Sequence, residues 1–238
     1  MMSNNNDMCF KGFSPKTFDF LISLQFNNNK QWFEENKPVY MEEVVKPFKD
    51  LVKDLSSCMH AIDPAFDTRP EIGKTISRIY RDVRFSKDKS PYRSSVWITF
   101  KRLAVDWKTD PCFFFEITPE IYRWGMGFYL AERGTMRSLR ELIDEESEYF
   151  KQIAALYAGQ SLFTLEGEKY KKVLDKSKPE EVLDWYQRKD IYFMCTRKVD
   201  KRLFDSNLVK EIMEGFEKLK PFYEFLWHIK LMGQSQAT

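Results

Sequence analysis

The chain has 238 residues, of which 43% are hydrophobic and 16% aromatic, and its formal net charge at neutral pH is +2. A chain of this length can bury roughly 70–75% of its unfolded surface, which indicates a folded globular protein. No apolar stretch approaches the ~20 residues of a membrane helix, and the nearly balanced charge is not that of a broadly basic nucleic-acid binder. Residues 1–8 show no secretory signal, so we expect a cytoplasmic protein with no membrane partner.

The N-terminal third predicts helices. Ser14-Pro15 is a typical helix start, and the three asparagines at 27–29 end that helix and can cap a second one at Lys30. Apolar residues then recur at helical spacing, and Pro47 inside this stripe predicts a kink or a new helix start. The stripe consists of Tyr40, Val44, Phe48, Leu51, Leu55 and Met59.

The middle of the chain predicts three adjacent antiparallel strands, at 96–100, 112–117 and 121–129. Short apolar runs with alternation support this prediction, and Thr118-Pro119-Glu120 is typical of a hairpin loop. Gly125 and Gly127 lie on one face of the third run. A twisted or bulged strand is the favoured interpretation, and the alternative is backbone left bare for a ligand.

Helical spacing returns at 136–157, and two further strands are predicted at 162–165 and 191–194, with a short helix at 179–187 between the two strands. Asp205-Ser206 can cap a last long helix, in which Pro221 predicts a bend. Because the strands cluster between helical ends, the pattern favours an α+β fold, with a central antiparallel sheet flanked by long N- and C-terminal helices. We expect a single domain over 1–238, with flexible tails at 1–12 and 233–238.

Four cysteines and two histidines are dispersed along the chain, without C-x-x-C spacing or a pair of histidines at ligand spacing. Reduced thiols are favoured over two disulfides for a cytosolic protein. We therefore expect no metal and no cofactor. The sequence does not determine the oligomeric state or any protein partner.

The most distinctive segment is RIYRDVRFSKDKSPYR, residues 78–93, with six cations against two aspartates and a local charge of 6 − 2 = +4. If 77–85 is extended, Arg78, Tyr80, Asp82 and Arg84 share one face, and Ile79, Arg81, Val83 and Phe85 share a core-facing one. We therefore expect Arg81 to be partly buried and paired, and Arg84 to be accessible to a ligand. Asp82 can pair with Arg78 or Arg84.

This segment resembles the signature of the domain of unknown function 2461 family, conserved hypothetical bacterial proteins. The resemblance rests on Arg81-Asp82, Arg84-Phe85, Lys89 and Pro91-Tyr92-Arg93. It extends to the early FLISLQFNNNKQWFEENK, to FFFEITP and to the Gly125-x-Gly127 strand, and it weakens in the C-terminal third. It implies a single bacterial-type cytosolic domain and no established activity, so it supplies no catalytic residue.

Three functions remain open for the segment. A structural or protein-interaction role would use the charges as an ion-pair network. The working hypothesis is a site for a small phosphate or carboxylate ligand, with catalysis undetermined. Nucleic acid is the least expected partner, because no recognised fold signature supports it. Asp82 or Glu116 could serve as an acid or base, although a salt bridge from Glu116 to a motif arginine is preferred. The candidate ligand-binding residues are Arg78, Arg81, Asp82, Arg84, Lys89, Tyr92, Arg93 and Glu116.

Overall fold

A computed structural model of the chain describes residues 8–104 and 107–236. It has an α+β fold with a five-stranded antiparallel sheet in the order β1-β2-β3-β5-β4. The helices are α1 Pro15–Phe26, α2 Lys30–Val39, α3 Lys46–Ile62, α4 Arg133–Asp144, α5 Glu148–Ala158, α6 Glu180–Tyr186 and α7 Leu208–Ser235. The strands are β1 Val96–Phe100, β2 Pro111–Ile117, β3 Ile121–Phe128, β4 Thr164–Glu166 and β5 Tyr192–Lys198.

The N-terminal helices begin where their capping residues predict. Pro15 occupies the first turn of α1, and the Asn29 side chain accepts a hydrogen bond from the Trp32 N–H at 3.0 Å to open α2. A π-helical segment, Tyr40–Val45, joins α2 to α3, and Pro47 lies in the first turn of α3. Of the two outcomes expected at Pro47, a kink or a new helix start, the second describes α3, which follows the π-helical segment directly. Proline is accepted in the first turn of a helix because it has no N–H.

The three central strands are adjacent and antiparallel, as predicted. Thr118 N–H donates to the Ile121 carbonyl at 2.8 Å, which closes the predicted hairpin between β2 and β3. Strand β4 is shorter than predicted, and it pairs with β5 through the partners Thr164–Met194 and Leu165–Phe193. Beside β5, a Cβ on Gly125 would lie 1.9 Å from the Phe193 carbonyl oxygen. Close strand packing therefore explains this glycine, rather than backbone left bare for a ligand.

The helical region predicted at 136–157 forms two helices, α4 and α5. Glu146 adopts a left-handed conformation with φ 52°, and Ser147 N–H donates back to the Leu142 carbonyl at 2.9 Å. A left-handed residue ends a helix, because the backbone can no longer continue the i to i−4 pattern. The apolar period survives across the break, which is why the apolar spacing does not locate it.

The described chain divides into two compact units. The first comprises the residues up to Phe100, Phe114–Trp124 and Thr196–Glu214, and the second comprises Lys101–Phe113, Gly125–Cys195 and the residues from Gly215 onwards. The core of the first contains Phe13 stacked on Phe115, with ring centroids 6.0 Å apart. In the second, Phe193 packs on Phe222 at 4.6 Å.

The single domain over 1–238, the bend at Pro221 and the flexible tails stay predictions. Residues 1–7 and 237–238 of the predicted tails lie outside the described residues. Within the N-terminal tail that is described, Phe10 is buried and its N–H donates to Asp54 at 2.8 Å. Over 8–104 and 107–236, no helix combines the length and apolar character that crossing a bilayer requires.

Candidate functional site

Residues 78–93, here called the basic loop, belong to the first unit. Arg81 N–H donates to the Pro91 carbonyl at 2.8 Å, and Arg93 N–H donates to the Ile79 carbonyl at 2.8 Å. These bonds pair the two arms only at their base, where Tyr80 and Tyr92 form an isolated bridge. The condition that 77–85 is extended therefore does not hold for the whole segment, which forms no regular strand.

Aspartate side chains explain why the arms do not continue as a strand. Asp82 accepts from the Arg84 N–H at 3.2 Å, and Asp88 accepts from the Ser90 N–H at 2.9 Å. Such local bonds two residues along the chain offer the backbone an alternative to a ladder, and they favour turns. The tip of the loop, between residues 82 and 90, is consequently a series of turns held by its own side chains.

Arg81 is partly buried and paired, as the sequence predicted. Its guanidinium contacts the Asp88 carboxylate and donates to Ser86 Oγ at 3.3 Å. The Arg81 side chain is 26% exposed and that of Asp88 is 57% exposed, so the pair lies at the edge of the protein. Hydrogen bonds from Ser90 and then from Arg81 lower the pKa of Asp88. This pair closes the base of the loop tip.

Arg84 is accessible, also as predicted, and one of its two expected pairings is present. Its Nε and a terminal nitrogen donate to the two Asp82 carboxylate oxygens at 2.9 and 2.7 Å. This bidentate bond holds the pKa of Asp82 at about 2, mainly through the Arg84 side chain. Asp82 is therefore ionised at neutral pH, which argues against a role as a general acid.

Two further cations bond to backbone rather than to carboxylates. Lys89 Nζ donates to the Val83 carbonyl at 2.9 Å, and Arg93 donates to the carbonyls of Arg78 and Tyr80 at 3.0 and 2.6 Å. These bonds shape the loop, and they do not cancel the positive charge. The Arg93 guanidinium also lies over the Trp97 ring, 5.1 Å from its centroid.

Arg78 and Lys87 complete the set, and both are exposed. Among the described residues, neither has a carboxylate within the 4.0 Å of a salt bridge. The Arg78 side chain lies over Gly73, where an added Cβ would be 3.0 Å from its Nε. Of six loop cations, only Arg81 and Arg84 therefore have a carboxylate within salt-bridge distance in this part of the chain.

The aromatic residues of the basic loop divide between core and solvent. Tyr92 is buried, and its backbone N–H and carbonyl both bond to the Asn28 side chain at 3.0 Å. Burial, followed by the neighbouring Tyr80, raises the pKa of Tyr92. Phe85 is 94% exposed, so its predicted place on a core-facing strand is wrong. The turns at the tip carry it outward before a second face can form.

Glu116 is bonded elsewhere. Arg123 Nε donates to its carboxylate at 2.5 Å, so the partner is not one of the motif arginines, and that prediction is wrong. The physical reason is the hairpin register, in which the Thr118–Ile121 bond places Glu116 opposite Arg123. The structure therefore brings together seven of the eight candidate residues at the basic loop, and Glu116 has its own ion pair on the hairpin.

One surface cleft was not predicted from the sequence, in which only the helix cap at Asp205 was noted in this region. A shallow cleft of about 490 Å³ lies at the start of α7. Two of its charged residues already have partners, because Arg202 pairs with Asp200 and Glu211 pairs with Arg197. Its lining residues include Lys201, Arg202, Asp205, Asn207, Lys210 and Glu211.

In residues 8–104 and 107–236 there is no group of three or more His, Cys, Asp or Glu side chains placed to hold one ion. The basic loop offers hydrogen-bond donors and positive charge, which are the groups that bind oxyanions in proteins.

Comparison with protein families gives a match over most of the chain. Residues 16–225 match the model of a family described as conserved hypothetical protein (DUF2461). The match spans 225 − 16 + 1 = 210 residues and contains the whole basic loop. No curated protein matches the chain.

Proposed function

We propose that this chain, which belongs to the domain of unknown function 2461 family, binds an anionic ligand with phosphate or carboxylate oxygens at the basic loop. The observation that carries the proposal is unneutralised charge. Arg78, Lys87, Lys89 and Arg93 have no carboxylate partner in the described part of the chain. Cations gathered in one loop repel each other, and a bound anion relieves that repulsion.

A purely structural role explains only part of the loop. Two ion pairs and several backbone bonds are enough to fix its path. A structural network gains nothing from further exposed cations, since an exposed pair contributes only ~0–1 kcal/mol and an unpaired exposed charge contributes less. The excess cations therefore favour a role outside the loop itself.

Arg84 gives the loop a way to respond to a ligand. Both members of the Arg84–Asp82 pair are largely in water, where exposed pairs are weak. A phosphate can therefore exchange with Asp82 for the bidentate face of the guanidinium. Arg81 is less available, because its head group lies behind Asp88 and Ser86.

No disulfide joins the four cysteines, of which three are buried. Thiols that stay reduced are typical of a reducing compartment. This supports a cytoplasmic location as part of the proposal. Immunofluorescence or fractionation of the tagged full-length chain tests it, and recovery in the secreted or periplasmic fraction would overturn it.

Thermal melts with and without phosphate, at ionic strength matched with chloride, test the ligand proposal. A ligand that binds only the native state raises its stability. We expect phosphate to raise the Tm of the parent protein, and we expect the rise to vanish in the double variant Arg78→Gln, Lys87→Gln. Lys11→Gln, at an exposed lysine outside the loop, is the matched control and should keep the rise.

A second comparison separates the two paired arginines. Arg84→Ala should keep most of the stability and reduce the phosphate-induced rise, whereas Arg81→Ala should lower stability and loosen the loop. Equal destabilisation by both changes, with no phosphate effect in the parent, would favour the structural role instead.

A further inference from the structure

Two phenylalanine rings at the basic loop face water. Phe85 is 94% exposed and Phe26 is 82% exposed, the two largest values for large hydrophobic side chains in the described residues. Scattered exposed apolar residues are common on protein surfaces. Two nearly bare aromatic rings beside a loop with excess positive charge are a more specific combination.

Phe26 lies beside the basic loop because the end of α1 is fixed to it. The Gln25 side chain donates to Ser94 Oγ at 3.3 Å, one residue beyond the loop. The Asn28 side chain bonds to both backbone groups of Tyr92. These contacts flank Phe26 on both sides in the sequence, so its ring projects from a segment attached to the return arm.

A charged group, the Arg84 guanidinium, lies beside the exposed ring of Phe85. Arg84 and Lys87 are its near neighbours in the chain, and the Arg84 guanidinium carbon lies 5.8 Å from its ring centroid. An apolar partner surface would have to strip water from these cations, which is costly. A nucleobase can instead stack on the ring while its phosphates meet the cations.

We propose that the basic loop, with Phe85 and Phe26, is a contact site for a few nucleotides of single-stranded nucleic acid. This inference rests on the proposed function, because it identifies the anion as a chain of phosphates. The loop is already shaped by the Arg81–Asp88 and Arg84–Asp82 pairs, so binding orders few additional groups.

The overall charge of +2, which made nucleic acid the least expected partner, limits the affinity but leaves the local site intact. Four cations lack an acidic partner among the described residues. If each meets one phosphate, the logarithm of the binding constant should fall with the logarithm of salt concentration with a slope of about −3, since single strands give about −0.7 per phosphate. Binding should therefore be weak at physiological salt.

The test compares two labelled oligomers by fluorescence anisotropy at low salt, a thymidine 12-mer and an abasic 12-mer with the same number of phosphates. Stacking contributes about 1–3 kcal/mol per base, so the thymidine oligomer should bind at least about fivefold more tightly. Phe85→Ala should lower the affinity for the thymidine oligomer by about fivefold or more and leave the affinity for the abasic oligomer unchanged. Phe26→Ala should act in the same direction. Tyr129→Ala, at an exposed aromatic residue of the second unit, is the control.

The charge variant Arg78→Gln, Lys87→Gln should have a lower affinity for both oligomers. If the parent protein binds both oligomers with equal affinity, the stacking inference is wrong. If the charge variant then loses this affinity, the proposed anion binding is still supported. If neither oligomer binds, the inference is wrong. The phosphate melts then test the proposed function independently. Competition by a twelve-residue glutamate peptide as strong as that by the thymidine oligomer would indicate an acidic protein partner and also overturn it.

Discussion

The ring of Tyr92 stacks on the ring of Phe33, with centroids 4.3 Å apart and planes inclined by 21°. Both side chains are buried, and Phe33 also packs within 6.0 Å of the exposed Tyr80 ring. The contact joins α2 to the return arm of the basic loop. The loop is thus rooted in the core of the first unit.

Replacing Phe33 by Ala should lower stability and loosen the loop. Removing a buried phenyl ring costs about 3–5 kcal/mol. Because Tyr92 loses its stacking partner, amide hydrogen exchange should also rise at Arg81 and Arg93, whose N–H groups pair the arms. Urea unfolding and exchange rates measure the two effects. Phe48→Ala, at another buried ring of the same unit, should destabilise similarly and spare these amides from local opening.

The helices and strands of the fold could be predicted from the sequence because their apolar spacing repeats over many residues. Alternation near Val96 and the Thr118-Pro119-Glu120 turn indicated the central hairpin, and the structure confirms it. The break at Glu146 could not be predicted in the same way, because a left-handed residue that is not glycine leaves the apolar period intact. Periodicity reports which face is buried and is insensitive to one turn of backbone.

The candidate site was predictable in composition and less so in geometry. The local excess of charged residues located the loop in the sequence. The two-residue separation of Asp82 and Arg84 predicted one of the two pairings considered for Asp82, and the structure has this pair. The same alternation placed Phe85 in the core, which is wrong, because local bonds from Asp82 and Asp88 replace the strand with turns. The partner of Glu116 could have been found by extending the hairpin register from Thr118–Ile121 to Arg123.

The Asp82 carboxyl should titrate near pH 2. Its pKa in the folded protein is about 2, below its ordinary value of 3.8, chiefly because Arg84 donates to it. A folded pKa below the unfolded one means that the pair stabilises the loop above about pH 4, and that this contribution is lost as the pH falls towards 2. Carboxyl chemical shifts measured by NMR against pH give the midpoint. Arg84→Gln should move it up towards 3.8, and a parent midpoint already near 4 would show that the pair does not form in solution.

Tyr40→Phe should leave stability unchanged or raise it by about 1 kcal/mol, since a buried hydroxyl without a partner is a penalty that phenylalanine avoids. The Tyr40 hydroxyl is buried and makes no hydrogen bond to the described residues, and burial raises its pKa to about 12. The ring contacts with Phe20 and Phe33 remain in the variant.

Tyr122→Phe is the matched control, because Tyr122 is also buried in the first unit and its hydroxyl donates to the Asp200 carboxylate at 3.3 Å. It should cost about 1 kcal/mol in urea unfolding. A loss in Tyr40→Phe as large as the loss in Tyr122→Phe would show that the Tyr40 hydroxyl has a partner in solution.

The second unit contains a buried ion pair that no sequence pattern indicated. Lys230 on α7 contacts the Asp110 carboxylate, immediately before β2, and donates to Thr109 Oγ1 at 3.2 Å. Both charged side chains are buried. Lys230 occurs among apolar residues of a helical stripe, and its partner is 120 residues away, so spacing could not have revealed the pair.

Removing one member of this pair should be far more damaging than removing both. Asp110→Ala or Lys230→Met leaves an uncompensated buried charge, which costs about 3–5 kcal/mol. The double variant Asp110→Leu, Lys230→Met replaces the pair with apolar groups, and such replacements are often neutral or stabilising. Urea unfolding of the three variants measures the coupling, which should be several kcal/mol. Single variants that each lose less than about 1 kcal/mol would show that water reaches the pair, because only a solvated charge tolerates the loss of its partner so easily.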